Sequence, residues 1–166
     1  MNKLRSFVGA AALALASAAA HADTLWNFTY SGDGVSASGS FTTLGDGSTP
    51  STVTSITGTY SDANVAHGTI DGLVALGTDG GFYYDNLFGG SPLVSNSGVL
   101  FDVDGGIHIN LYTVGSDYRS VKWLDGNVVD TAVSLNVTAV PEPGSVAMLL
   151  AGLGALGFAS RRRSRG

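Results

Sequence analysis

Hydrophobic and polar residues alternate along several stretches of this chain, and this two-residue period is the feature that most restricts its fold. In "LWNFTY", Trp26, Phe28 and Tyr30 fall on one side of an extended backbone. The stretches "VLFDV", "IHINLYT" and "VVDTAVSLNVTA" alternate in the same way. Because the side chains of a β-strand point alternately to its two faces, these stretches predict half-buried strands.

The composition of residues 23–139 opposes helices, since they contain no Glu, Gln or Met and one Lys. Asp-Gly pairs, among them Asp33-Gly34 and Asp71-Gly72, suit tight turns because Gly accepts left-handed backbone angles. The segments 99–114 and 120–133 therefore predict hairpins. Strands joined by short turns are antiparallel neighbours, so we predict an all-β fold, either an antiparallel β-sandwich or a small barrel.

The N-terminus has the three parts of a secretory signal peptide. Two basic residues among the first five precede an apolar run, residues 7–20, and small residues stand before Asp23. This order predicts an N-terminal signal helix, residues 1–22, which signal peptidase removes by cutting between Ala22 and Asp23. The secreted β domain, residues 23–139, is then exported from the cytoplasm.

The charge of this domain limits its partners. Twelve Asp stand against Arg119 and Lys122 alone, which gives a net charge of −10. Such a domain repels phosphate backbones and anionic lipid, so nucleic acid is not an expected partner. The chain has no Cys, so no disulfide or thiol chemistry supports the fold.

The C-terminal segment has the physical properties of a membrane signal. The turn at 141–144 contains two prolines and cannot continue a strand. The uncharged run 145–160 spans about 24 Å as a helix, against about 30 Å of hydrocarbon. Arg161, Arg162 and Arg163 then favour the cytoplasmic side. We predict a C-terminal transmembrane helix, with a permanent anchor as the alternative to a removable signal.

The order of Pro141, Glu142 and Pro143, a short apolar run and an arginine cluster resembles the PEP-CTERM sorting signal, over residues 140–166. The resemblance implies recognition and processing near Pro-Glu-Pro by exosortase, a membrane-embedded bacterial enzyme. It also implies transient anchoring in the inner membrane and delivery to the cell envelope or the extracellular matrix. Proteins of this kind accompany exopolysaccharide production and biofilm formation.

No arrangement of catalytic residues stands out. The only histidines after residue 22 are His67 and His108, and no serine lies in a nucleophile elbow. Acid–base catalysis needs two groups with separated pKa values in a cleft. Any pair among the twelve Asp could meet this requirement, so the sequence does not identify a catalytic pair. We therefore expect a protein that is not an enzyme and needs no cofactor.

The stretch "GGFYYDNLFGG" is the candidate for ligand recognition. Its Tyr83 and Tyr84 rings can stack on sugar faces, while Asp85 and Asn86 can accept hydrogen bonds from sugar hydroxyl groups. This reading makes the domain an exopolysaccharide-binding module of a biofilm matrix. The alternative is a strand and turn whose aromatic rings belong to the core.

The stretch "DVDGGIH" is the densest set of candidate cation ligands. Asp102 and Asp104 share a face near a predicted turn, but the spacing departs from that of an EF-hand loop. We expect no resident metal and regard these residues as a surface turn, with a calcium-binding module as the alternative.

Overall fold

The structure is a computed structural model that describes residues 23–124, 127–141 and 150–154. Residues 150–154 are helical. The predicted signal helix, together with Ala22, Glu142, Pro143 and the arginine cluster, lies outside the described residues. Nine strands lie within them: β1 (Thr24–Gly32), β2 (Val35–Thr43), β3 (Ser51–Ser61), β4 (Gly68–Leu73), β5 (Leu87–Phe88), β6 (Val99–Val103), β7 (Ile107–Val114), β8 (Asp117–Leu124) and β9 (Asn127–Ala139).

Eight antiparallel strands close into a ring. Around the ring the order is β1, β2, β3, β4, β6, β7, β8 and β9, and β9 pairs again with β1. The two-residue strand β5 pairs with the start of β3. The all-β prediction is therefore confirmed, and the choice that the sequence left open is decided in favour of the small barrel.

Both predicted hairpins are present. β6 and β7 pair across the turn at 104–106, and β8 pairs with β9 up to Leu124 opposite Asn127. Asp33-Gly34 also forms a turn, with both residues at positive φ. The prediction of a turn at Asp71-Gly72 is wrong, because these residues lie within β4 at a β-bulge. The Asp71 carboxylate accepts a hydrogen bond from the Gly105 N–H (2.7 Å), which ties the bulge to the neighbouring turn.

Aromatic side chains fill one end of the barrel interior. The Phe88 ring lies 4.7 Å from that of Phe41 and 5.1 Å from that of Trp26, measured between centroids. A cavity of about 20 Å³ remains among apolar side chains. This is space for about one water molecule, so the cavity is too small for an organic ligand.

The two ends of the barrel differ in what they carry. At one end β1 begins and β9 ends; we call this end the terminal rim and define it by Leu25, Leu44, Val140 and Pro141. The other end, the distal end, carries the turns at 33–34, 62–67 and 104–106 and the paired ends of β8 and β9 at Leu124 and Asn127.

The first part of the segment between β4 and β6, residues 74–86, packs against the outside of β6 and β7, whereas Phe88 and Val94 further along it belong to the interior. The Val74 N–H donates to the Leu100 carbonyl (3.0 Å), and the Asn110 side chain donates to the Tyr83 carbonyl (3.1 Å). Leu100 is fully buried beneath this segment although its neighbours Val99 and Phe101 point into the barrel. The packing therefore holds the predicted ligand-binding stretch against the barrel wall.

Candidate functional site

The junction with the C-terminal segment lies at the terminal rim. The Val140 N–H donates to the Leu25 carbonyl (2.8 Å), which extends the β1–β9 ladder by one residue beyond β9. Pro141 has no N–H and therefore cannot continue the ladder. Asp23, the predicted first residue after signal cleavage, directly precedes β1. Asp23 and Pro141, the described residues nearest to the two predicted processing positions, therefore lie at the same end of the barrel.

Of the predicted sorting residues, Pro141 is described and exposed. The predicted transmembrane helix, 145–160, lies mostly outside the described residues. Among the described residues, no helix has the length and hydropathy required to cross a membrane.

The four predicted ligand contacts differ in their surroundings. The Tyr83 side chain is 94% exposed. In contrast, the Tyr84 hydroxyl donates to the Ala75 carbonyl, and the Asp85 carboxylate accepts from the Ser95 hydroxyl (2.7 Å). The structure therefore presents Tyr83 to solvent, while the polar groups of Tyr84 and Asp85 hold the segment together.

Asn86 is buried and supports the segment from within. Its amide nitrogen donates to the Val74 carbonyl (3.0 Å), and its amide oxygen accepts from the Leu100 N–H (2.9 Å). Both ends of the side chain are thus engaged, which leaves Asn86 a structural role.

An exposed aromatic cluster forms where this segment meets β8. The Phe82 and Trp123 ring centroids are 5.8 Å apart. The Trp123 side chain is 54% exposed, although tryptophan has the largest side chain of all residue types. We call the Phe82–Trp123 pair, together with the exposed Tyr83 that follows Phe82 in the chain, the aromatic patch. Sequence analysis missed Trp123 because it is far from Tyr83 in the chain. The sequence feature that could have identified it was a Trp close to the Asp-Gly pair of the predicted hairpin at 120–133.

Polar groups adjoin the aromatic patch. The Asp79 carboxylate contacts the His108 ring and accepts from the Gly81 N–H (2.6 Å). Burial alone would raise the pKa of Asp79, but these two partners outweigh it and hold the pKa below its ordinary value. Asp102 is paired across the strands with His108, and its Oδ1 is buried without a hydrogen-bond partner. The patch therefore has hydrogen-bonding groups at its edge, and Asp79 was not found from the sequence.

The two candidate cation ligands do not form a joint site. The Asp104 carboxylate accepts from the Thr69 N–H (2.8 Å), and Asp104 lies in the β6–β7 turn with φ of 51°. Asp102 instead faces His108 on the outer surface. In the part of the chain that the structure describes, no group of three or more His, Cys, Asp or Glu side chains could hold a metal ion.

An ion pair lies inside the distal half of the barrel. The Lys122 ammonium contacts the Asp62 carboxylate, and these side chains are only 2% and 6% exposed. The N–H groups of Asn64 (2.7 Å) and Val65 (2.9 Å) and the Tyr60 hydroxyl (2.8 Å) also donate to this carboxylate. Burial favours a higher pKa for Asp62, but the donors outweigh it and lower the pKa.

The same pair affects Tyr60, whose pKa is raised by burial and by its hydrogen bond to Asp62. The Asp62 carboxylate accepts from Lys122 of β8 and from N–H groups of the 62–67 loop, so the cluster is an internal connection between β8 and this loop. Sequence analysis missed it because the partners are sixty residues apart.

Together, the fold and the junction define a class of protein: a small closed β-barrel that continues directly into a C-terminal sorting segment. Residues 139–163 match the PEP-CTERM protein-sorting motif, so the resemblance seen in the sequence is confirmed. The motif implies exosortase-dependent sorting of an exported protein to the cell envelope or surface. No curated protein and no solved structure matches the chain.

Proposed function

We propose that the chain is a non-enzymatic protein of the cell surface or extracellular matrix, which signal peptidase and exosortase process in turn. The main observation in support of this proposal is that the sorting motif, 139–163, starts at the last residue of the barrel. Cleavage near Pro-Glu-Pro would therefore remove the C-terminal segment and leave all the strands. Anchoring in the inner membrane is then a transient stage.

We also propose that the protein is not an enzyme, and the geometry of its polar groups supports this part of the proposal. Asp79 and His108 contact each other at the barrel surface, and Asp62 is neutralised by Lys122 in the interior. In each pair the two groups are engaged with each other, whereas acid–base catalysis needs two titratable groups with separated pKa values that both face a cleft.

Deleting Pro141 to Pro143 tests the sorting step. We expect the deletion variant to stay in the membrane fraction at precursor mass, while the wild-type chain is released without its C-terminal arginines. Asp117→Asn, an exposed change at the start of β8, is the control and should be processed normally. Released protein that still carries Arg161 to Gly166 would contradict processing.

The second candidate function is binding of exopolysaccharide, and the exposed aromatic patch favours it. Aromatic rings stack on the apolar faces of sugars, and the His108 ring, which is 35% exposed, can form a hydrogen bond with a hydroxyl group. The net charge of −10 favours a neutral or basic polysaccharide over an anionic one. The proposed ligand surface lies around Tyr83 and differs from the predicted set, because the polar groups of Tyr84, Asp85 and Asn86 are engaged internally.

Retention on immobilised matrix polysaccharide tests this function. An aromatic contact is worth about 0.5–1.5 kcal/mol beyond its buried area, so Trp123→Ala or Tyr83→Ala should weaken binding about two- to twelvefold. Leu44→Ala, which alters an equally exposed residue at the terminal rim, should bind like wild type. Equal retention of all four proteins, or none by the wild type, would refute the aromatic patch as a sugar site.

A further inference from the structure

Both ends of the mature domain emerge at the terminal rim. Asp23 precedes β1, and Val140 follows β9 and still pairs with Leu25. The match to the sorting motif begins at Ala139, which is paired with Trp26 inside the sheet. No linker therefore separates the folded barrel from the segment that the processing enzyme reads.

This direct junction limits where the barrel is during processing. An extended chain advances at most about 3.3–3.6 Å per residue, so a motif bound at Glu142 holds the end of β9 within roughly 10 Å of the enzyme. Because Val140 is hydrogen-bonded to β1, the barrel cannot swing freely about this point. The terminal rim must therefore face the enzyme.

The terminal rim carries exposed apolar side chains at this position. Leu25 is exposed next to Val140, and Leu44, 58% exposed, directly follows Thr43, the partner of Thr24. In a domain with a net charge of −10, neither leucine has a charged residue as its chain neighbour. Exposed apolar side chains grouped at one place are typical of surfaces that become covered on association.

We propose that the terminal rim is the docking surface for the membrane-embedded processing enzyme, with Leu25 and Leu44 as its apolar contacts. This inference rests on the proposed processing by exosortase. The enzyme thus receives a folded, closed barrel with the rim toward the membrane. The aromatic patch, near the distal end, faces away from the membrane and stays accessible.

A matched pair of substitutions tests the docking surface in the full-length chain expressed in its host. Leu44→Asp places a charge on the rim, whereas Val128→Asp places one on an equally exposed residue (60%) at the distal end. We expect Leu44→Asp to slow the conversion of precursor to product about three- to tenfold in a pulse-chase experiment, and Val128→Asp to leave the rate unchanged. Leu44→Ser serves as the milder variant if the charged one is not exported, and thermal melts check that each variant is folded.

An inserted linker distinguishes an effect of Leu44→Asp on docking from an effect on folding. About six Gly-Ser residues inserted between Val140 and Pro141 add a reach of up to about 20 Å, so the rim no longer has to face the enzyme. In this background Leu44→Asp should be processed as fast as the linker chain alone. Equal slowing with and without the linker, or equal rates for Leu44→Asp and Val128→Asp, would overturn the proposal.

Two further outcomes separate the alternatives. A wild-type chain that is never cut contradicts the proposed function itself, independently of the rim. Binding of the processed wild type, but not of Leu44→Asp, to vesicles of phosphatidylethanolamine and phosphatidylglycerol would assign the rim to lipid and overturn the enzyme contact.

Discussion

Replacing Asp62 by Asn should strongly destabilise the barrel, because the change leaves the Lys122 ammonium buried opposite a neutral amide. Lys122 is 2% exposed, so water does not compensate for the lost carboxylate. Removing one partner of a buried ion pair costs about 3–5 kcal/mol. The Asn side-chain oxygen can still accept from the Asn64 and Val65 N–H groups, so the loss combines the unpaired charge with the lost acceptor of the Tyr60 hydroxyl. Since small domains have a free energy of unfolding of about 5–15 kcal/mol, the loss is at least about a fifth of the stability.

Urea unfolding of the exported protein, followed by tryptophan fluorescence, measures this loss in the free energy of unfolding. Asp130→Asn is the control, because the Asp130 pair with Arg119 also involves β8 but both its side chains are 30% exposed. An exposed pair contributes about 0–1 kcal/mol. Adding Lys122→Met to Asp62→Asn removes the unpaired charge and should restore part of the stability.

The pH dependence provides an independent check. The pKa of Asp62 is lower in the folded protein than its unfolded value of about 3.9. Its contribution to stability is therefore present above the unfolded pKa and is lost as the pH falls through the folded pKa. The acid-induced loss should be smaller in Asp62→Asn. Equal, small costs for Asp62→Asn and Asp130→Asn, or additive effects in the double variant, would refute the reasoning.

Three other predictions concern packing. Phe88→Ala should cost about 3–5 kcal/mol by calorimetry or urea unfolding, because it removes the ring that closes the aromatic end of the interior; a loss below 1 kcal/mol would mean that β5 is not part of the core. Gly39→Ala should destabilise by about 1–3 kcal/mol, since the added Cβ would lie 2.0 Å from the Thr57 carbonyl oxygen, whereas the exposed neighbour Ser38→Ala should stay within about 0.5 kcal/mol; equal effects would contradict the close strand approach. Asn86→Ala leaves two buried backbone groups unpaired, at about 1–3 kcal/mol each, so limited proteolysis should cut the segment between β4 and β6 first; unchanged protection would show that other contacts hold it.

Much of the strand pattern was predictable, because each strand carries its own alternation. Phe28, Tyr30 and Phe101 are buried as the pattern indicates. The turn at Asp33-Gly34 was equally local. The error at Asp71-Gly72 has a physical reason: the same conformational freedom suits a bulge and a turn, and the partner that decides between them, Gly105, lies in another hairpin.

The candidate sites were predictable only in part. Tyr83 was found because aromatic residues cluster around it in the chain, but Trp123 reaches the patch from a different strand. In "SVKWL", Val121 and Lys122 are adjacent and therefore point to opposite faces of the strand. A lone lysine is expected to face solvent, so the pattern alone places Val121 inside the barrel and Lys122 outside it. Its inward position depends on Asp62, which neutralises it from a distant loop.

By itself, the sequence indicated the strands β1, β6, β7, β8 and β9, the turn at Asp33-Gly34 and the sorting segment, because each depends on residues that are neighbours in the chain. Only the tertiary structure decided that β9 returns to β1 to close a barrel and that the motif begins without a linker. It also decided the aromatic patch and the buried ion pair. These features require contacts between residues that are far apart in the chain, and their energies depend on burial, which exists only after the barrel has closed.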